Sequence, residues 1–180
     1  MSGSWGEWDR WTAVVPMRTQ PLHLAHVNVV ANLAERFAAV RVVVGNQPRS
    51  PDDPFSFAQR LQWWRESAEV HHLAAVEFVR GAHGCSDDER VHRYVSDLPI
   101  SHVAVVTGND DVSEFWSSRR FTVLDSCRLP LRDLVGGDTH LRGCDGLGRR
   151  LRAALRRGDG DRHVRPLVPP WVWDDLGRTA

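Results

Sequence analysis

Apolar residues along this chain fall into two alternating patterns. Short runs rich in valine and other apolar residues occur at 11–17 (WTAVVPM), 39–45 (AVRVVVG), 74–80 (AAVEFVR), 101–108 (SHVAVVTG) and 120–125 (RFTVLD). Such runs, bounded by turn residues, predict buried strands. Between them the spacing changes. In 24–38 (LAHVNVVANLAERFA) apolar residues recur at helical intervals, which predicts a helix. Ser56 with Gln59, and Ser86 with Glu89, each form a capping-box pair that starts a helix, over 56–70 and 86–98. A short helix is expected from about Asp111 to Ser117, an Arg-rich one near 147–157 and a short one within 169–177.

Alternation of this kind predicts an α/β fold: a Rossmann-like, doubly wound parallel sheet of five strands with helices on both faces and a small C-terminal helical segment. Residues 1–10 carry Gly and Ser without periodicity and read as a flexible start, leaving 11–180 as one domain. In such sheets ligands sit outside the carboxyl ends of the strands, where strand order reverses. The loops after the first and fourth strands are therefore the expected walls of a site.

Composition removes several function classes. All 23 basic residues are arginine, and lysine is absent. A Schiff-base enzyme, a P-loop NTPase and a protein kinase each need a lysine in their core machinery, so all three are excluded. Any phosphate must be held by Arg, His, backbone N–H groups and helix N-termini. Net charge is zero, which gives no general field for nucleic acid or a membrane surface. No apolar run of roughly 18 residues and no charged-then-apolar leader is present, so the expectation is a soluble, cytoplasmic protein. Cys85, Cys127 and Cys144 are too few and too scattered for a disulfide framework or a zinc site.

The candidate chemistry gathers at the end of the first strand, in 14–26 (VVPMRTQPLHLAH). His23 and His26 are three apart at a helix start and share one face near its N-terminus. On their own they would read more readily as structural histidines. With Arg18 and the free N–H groups and partial positive charge of the helix end, they form a cradle suited to a polyphosphate. Asp110 and Asp111 after the fourth strand read as a helix cap or as groups reaching a ribose, a base or Mg²⁺. Arg152, Arg156 and Arg157 read as a solvated helix face.

These residues resemble a family. The segment MRTQPLHLAH is similar to the G-R-F-Q-P-x-H-x-G-H signature of HxGH nucleotidyltransferases, nearest to the archaeal-type nicotinamide mononucleotide (NMN) adenylyltransferases. Arg18, Gln20, Pro21, His23 and His26 match; Met17, Thr19 and Ala25 do not. Further along, DPFSFAQR (53–60) resembles N-P-F-T-x-x-E-R, VVTGNDDV (105–112) the strand and its Asn-rich loop, and RPLVPPWV (165–172) the C-terminal L-V-P-P segment. DGLGRR (145–150) stands where the family has S-G-T-x-I-R. Val91 or His92 stands where it has a tryptophan that stacks on nicotinamide.

The resemblance implies an NTP-dependent nucleotidyl transfer with release of pyrophosphate, in which His23, His26 and Arg18 act on the phosphates. Pro16, Met17, Gln20, Gly108, Asn109, Asp110, Gly146 and one of Arg149 or Arg150 would bind the nucleotide, and Phe55, Arg60, His83 and His92 the acceptor. Mg²⁺ would be carried mainly by the nucleotide phosphates, with no direct protein ligand. The acceptor would be NMN with ATP, or a small phosphonate or phosphate with CTP, as in relatives from phosphonate-antibiotic pathways. Homo-oligomers are an expected feature of the family. Two readings from other classes are a catalytically inactive nucleotide-binding regulator and a nucleic-acid-binding role for the Arg-rich tail.

Overall fold

A computed structural model describes residues 8–136 and 147–179. Most of the segment read as a flexible start, together with Cys144, Asp145 and Gly146, lies outside the described residues. Trp8, within that segment, packs on Trp11 and Phe37 with ring centroids 5.0 and 5.3 Å away, so the core reaches back to position 8.

The valine-rich runs become β1 (Thr12–Met17), β2 (Ala39–Val44), β3 (Val76–Arg80), β4 (Val103–Thr107) and β5 (Thr122–Asp125). They pair in parallel in the order β3-β2-β1-β4-β5, with Val15 opposite Val42 and Val14 opposite Val105. The helices are α1 (Leu24–Ala34), α2 (Phe57–Val70), α3 (Asp87–Val95), α4 (Asp110–Ser117), α5 (Leu147–Arg156), α6 (Gly160–His163) and α7 (Pro170–Thr179). Among the described residues, no helix is long and apolar enough to cross a membrane.

Period-two alternation divides the strand side chains between two cores. Ala13, Val15, Val40, Val42, Ala104 and Val106 meet α1, α2, α5 and α7 on one face. Val14, Val43, Val103 and Val105 meet Tyr94 and Val95 of α3 and Trp116 of α4 on the other. Burial on both faces explains why the strands read as continuous apolar runs. Each fully buried valine or leucine contributes about 1.5–3 kcal/mol.

Several elements are shorter than their sequence patterns. The first helix stops at Ala34 rather than 38, because Phe37 turns into the core and the Ala38 N–H bonds the Trp11 carbonyl at 3.0 Å. The fourth strand starts at Val103 after a 3₁₀ turn over Ile100–His102. The fourth helix is capped by Asn109, whose Oδ1 accepts from the Val112 N–H at 3.1 Å, so neither Asp110 nor Asp111 is the cap. Both capping boxes form as expected.

Candidate functional site

Strand order reverses at β1, whose neighbours β2 and β4 feed helices on opposite faces, and the cleft opens there. A cavity of about 430 Å³ is lined by Pro16, Met17 and Arg18 from β1 and the turn after it, His26 of α1, Gly45 and Gln47 after β2, Thr107 at the end of β4 with Gly108 and Asn109 after it, and Tyr94 of α3. At Gly108 the chain passes close to two side chains that would have to turn away from a larger residue. A Cβ there would lie 2.8 Å from Ser126 Oγ and 2.9 Å from Cys127 Sγ.

The turn from β1 into α1 is tightly organised. Thr19 sits at φ +46°, the left-handed region that a threonine rarely enters, and the Gln20–Pro21 peptide is cis. His23 is the N-cap of α1, with its carbonyl accepting the N–H groups of His26 and Val27 at 2.9 and 3.3 Å. One helical turn therefore stacks the two imidazoles, with centroids 3.5 Å apart and an interplanar angle of 18°. Both Nδ1 atoms are buried without a hydrogen-bond partner.

Burial out of water disfavours the imidazolium, and the neighbouring ring adds to this for His23, so its pKa falls well below 6.5. Desolvation takes His26 to about 3. Below pH 6.5 the unfolded chain binds protons that the folded chain refuses, so stability is complete above that value and is lost as pH falls. For the fully buried His23 the loss approaches about 1 kcal/mol per pH unit. Urea denaturation at pH 7, 6 and 5 should show the decline, and His23→Gln should reduce its slope to the part that belongs to His26. A midpoint that does not move over this range would contradict the assignment.

Gln20 ties the turn to the loop before α2. Its Nε2 donates to the Phe55 carbonyl and its Oε1 accepts the Phe55 N–H, both at 3.1 Å. Asp53 holds the Arg18 guanidinium with both oxygens, and the arginine keeps the Asp53 carboxyl below its usual range. Arg60 is fully buried, donating from Nη1 to the Arg18 carbonyl at 2.9 Å, with Nη2 unpartnered. Arg152 Nη1 donates to the Gln20 carbonyl.

The structure therefore gathers Pro16, Met17, Arg18, His26, Gly108 and Asn109 around one cleft, with His23, Gln20 and Arg60 immediately behind it. Asp110 is exposed in the first turn of α4. Phe55 faces a separate apolar groove with Pro51, Pro54 and Leu155. His83, His92 and Arg149 are exposed and do not line the cleft, and Arg150 lines another pocket between α5 and α6. The expectation that Arg152 is a surface residue is corrected: it is 7% exposed and is the α5 arginine that reaches the β1–α1 turn. Tyr94, Gln47 and Asp53 were not singled out in the sequence. Tyr94, the only tyrosine of the chain, carried a usable signal, being an aromatic residue on the helix before β4.

Fold and cleft together define a Rossmann-like α/β domain whose cleft lies at the topological switch point, where ligands of such sheets commonly sit. No family model matches the chain. Over 57 residues, 31% of its length, it is 37% identical to nicotinamide-nucleotide adenylyltransferase 1 of Sulfolobus acidocaldarius, a segment covering 33% of that relative. A bifunctional NMN adenylyltransferase/ADP ribose pyrophosphatase from Francisella tularensis superposes with a TM-score of 0.65 at 15% identity over 94% of this chain and 49% of that one. The structure described as a nicotinate-nucleotide adenylyltransferase from Vibrio parahaemolyticus gives 0.56 at 15% identity, over 93% and 98% of the two chains. The chain thus spans about half of the Francisella protein and aligns with a third of the Sulfolobus one. At such identities the structural likeness is one of fold, and the sequence match is confined to about a third of either chain.

Proposed function

We propose that this protein is a nucleotidyltransferase that moves the nucleoside monophosphate of an NTP onto the phosphate of a mononucleotide of the NMN type, releasing pyrophosphate. The observation that carries the reading is the stacked His23–His26 pair at the N-terminus of α1, opening with Arg18 onto the switch-point cleft. The segment of likeness to the Sulfolobus adenylyltransferase supports it.

The chemistry asks little of the protein in proton transfer. An oxygen of the acceptor phosphate, already anionic near neutral pH, bonds to the α-phosphorus as the bond from that phosphorus to the bridging oxygen breaks. Pyrophosphate then leaves. Catalysis is positioning plus stabilisation of charge on the phosphoryl oxygens. His26 faces the α-phosphate, His23 supports it from behind, and Arg18 holds the outer phosphates. The loop 107–111 receives ribose and base. Tyr94 lines the acceptor side, and the buried Arg60 adds positive charge from behind the cleft wall. Among the described residues, no group of three or more His, Cys, Asp and Glu could hold a metal, and the cleft lining contains no carboxylate. Mg²⁺ would arrive on the nucleotide phosphates, where it would neutralise their charge.

A second reading, CMP transfer from CTP to a small phosphonate, is favoured by one observation: neither Val91 nor His92 lines the cleft, so no indole ring closes the acceptor side there. Pyrophosphate release should be measured with ATP, CTP, GTP and UTP against NMN, nicotinate mononucleotide and small phosphonates. Strongest turnover with ATP and NMN is the expected result. CTP with a phosphonate would establish the second reading, and no release with any pair would sink both.

A further inference from the structure

Arg18 does not reach into the cleft with its fork empty. Its Nε donates to Asp53 Oδ1 at 2.7 Å and its Nη2 to Oδ2 at 2.5 Å, while Nη2 also meets the Asp52 carbonyl at 3.2 Å. The Arg18 side chain is 50% exposed at the cleft, whereas that of Asp53 is 9% exposed behind it. A planar guanidinium grips carboxylate and phosphate with the same two-pronged geometry. The carboxylate therefore fills the donors a phosphate would use.

The surroundings favour a second anion at this place. Arg60 and Arg152 both act on the Asp53 carboxylate, making it one negative group among three arginines. Arg60 Nη2 and Arg152 Nε are buried without partners. Asp53 itself is anchored by its main chain: its N–H donates to the Ser50 carbonyl and to Ser50 Oγ, both at 3.0 Å, and its carbonyl accepts the Ser50 N–H at 3.1 Å. Its side chain is thus free of any duty in building the turn.

We propose that Asp53 is a built-in counter-anion for Arg18, a specificity-determining residue that a triphosphate must displace to recruit that arginine. The proposal rests on the reading above in which Arg18 contacts the outer phosphates. A ligand whose single phosphate meets only Arg18 finds the fork filled. A triphosphate engages the histidine pair as well, and that contact offsets the broken ion pair. Asp53 in this way favours long phosphate chains over short ones.

The test uses inorganic tripolyphosphate and orthophosphate as probes, with calorimetric binding to the wild type, Asp53→Asn, Arg18→Ala and the double variant. Asparagine keeps the shape and the Ser50 contacts but removes the charge. Asp53→Asn should bind tripolyphosphate about tenfold more tightly, the gain expected from freeing a charge-assisted bidentate donor. Orthophosphate should gain more, because a triphosphate keeps its contact with the histidine pair whether or not the fork is filled, so the preference for the longer chain narrows. Equal gains for the two probes overturn the specificity role. Arg18→Ala should weaken binding, and adding Asp53→Asn to it should give little further change.

Unchanged or weaker binding by Asp53→Asn overturns the proposal, since Asp53 would then merely orient Arg18. A gain that survives in the Arg18→Ala background overturns it too, because the effect would be simple repulsion. Wild-type affinity in Arg18→Ala itself removes the underlying reading of the site, and the proposal with it. Asp53→Ser, which also deletes the charge, gives the same comparison where the asparagine variant melts early.

Discussion

His26→Ala is expected to lower turnover by roughly two to three orders of magnitude, the range seen when one preorganised transition-state donor is removed. The ring is held in place by three features: its position in the first turn of α1, its stacking on His23, and its seat in the cleft lining. Because burial holds its pKa at about 3, it is neutral near pH 7. The phosphates of a bound nucleotide bring the negative charge that makes a protonated imidazole favourable. Nucleotide binding should therefore be accompanied by proton uptake that is small at pH 7 and grows as the pH falls below about 6, visible as a dependence of calorimetric heat on the buffer's ionisation enthalpy. The decisive measurement is single-turnover pyrophosphate release with the best substrate pair. A His26→Ala variant that keeps its fold and releases pyrophosphate near the wild-type rate would end the assignment.

The largest effect on stability is expected from Trp63→Ala, at about 3–5 kcal/mol, the usual cost of emptying a tryptophan-sized core site. Trp63 is 2% exposed, packs edge-on against Phe55 at 5.1 Å, and donates from Nε1 to Asp175 Oδ2 at 3.0 Å. One side chain thus links α2, α7 and the loop that carries Phe55. The damage should extend to the site, since the Phe55 backbone is what Gln20 grips. Guanidinium denaturation should show the loss in stability. A change below about 1 kcal/mol, the scale of an ordinary surface substitution, would contradict this view of the core.

Much of the framework was legible along the chain. Valine-rich runs and two capping boxes located strands and helices because each depends on neighbours within a few residues. Ends were less legible. The first helix stops early because Phe37 finds a place in the core, and no local pattern announces such a place. The short helix at Gly160–His163 carried no pattern to predict it. Arg41 shows the same limit inside a strand. It is an arginine in a buried run, tolerated because Glu77, Asp97 and the Tyr94 carbonyl meet its guanidinium from separate elements.

By itself, the sequence determined the strand–helix alternation, the exclusion of lysine chemistry, and the placing of Arg18, His23 and His26 on one turn. All three follow from composition or from contacts made within one turn of chain. Only the tertiary structure decided what surrounds that turn. Asp53 meets Arg18 across 35 residues, and Arg152 meets the Gln20 carbonyl across 132. Tyr94 joins the cleft because the chain order β3-β2-β1-β4-β5 brings α3 beside the end of β1. The physical reason is the same in each case. Local propensity acts over a few residues, whereas counter-charges and cleft walls are supplied by packing between elements far apart in the chain.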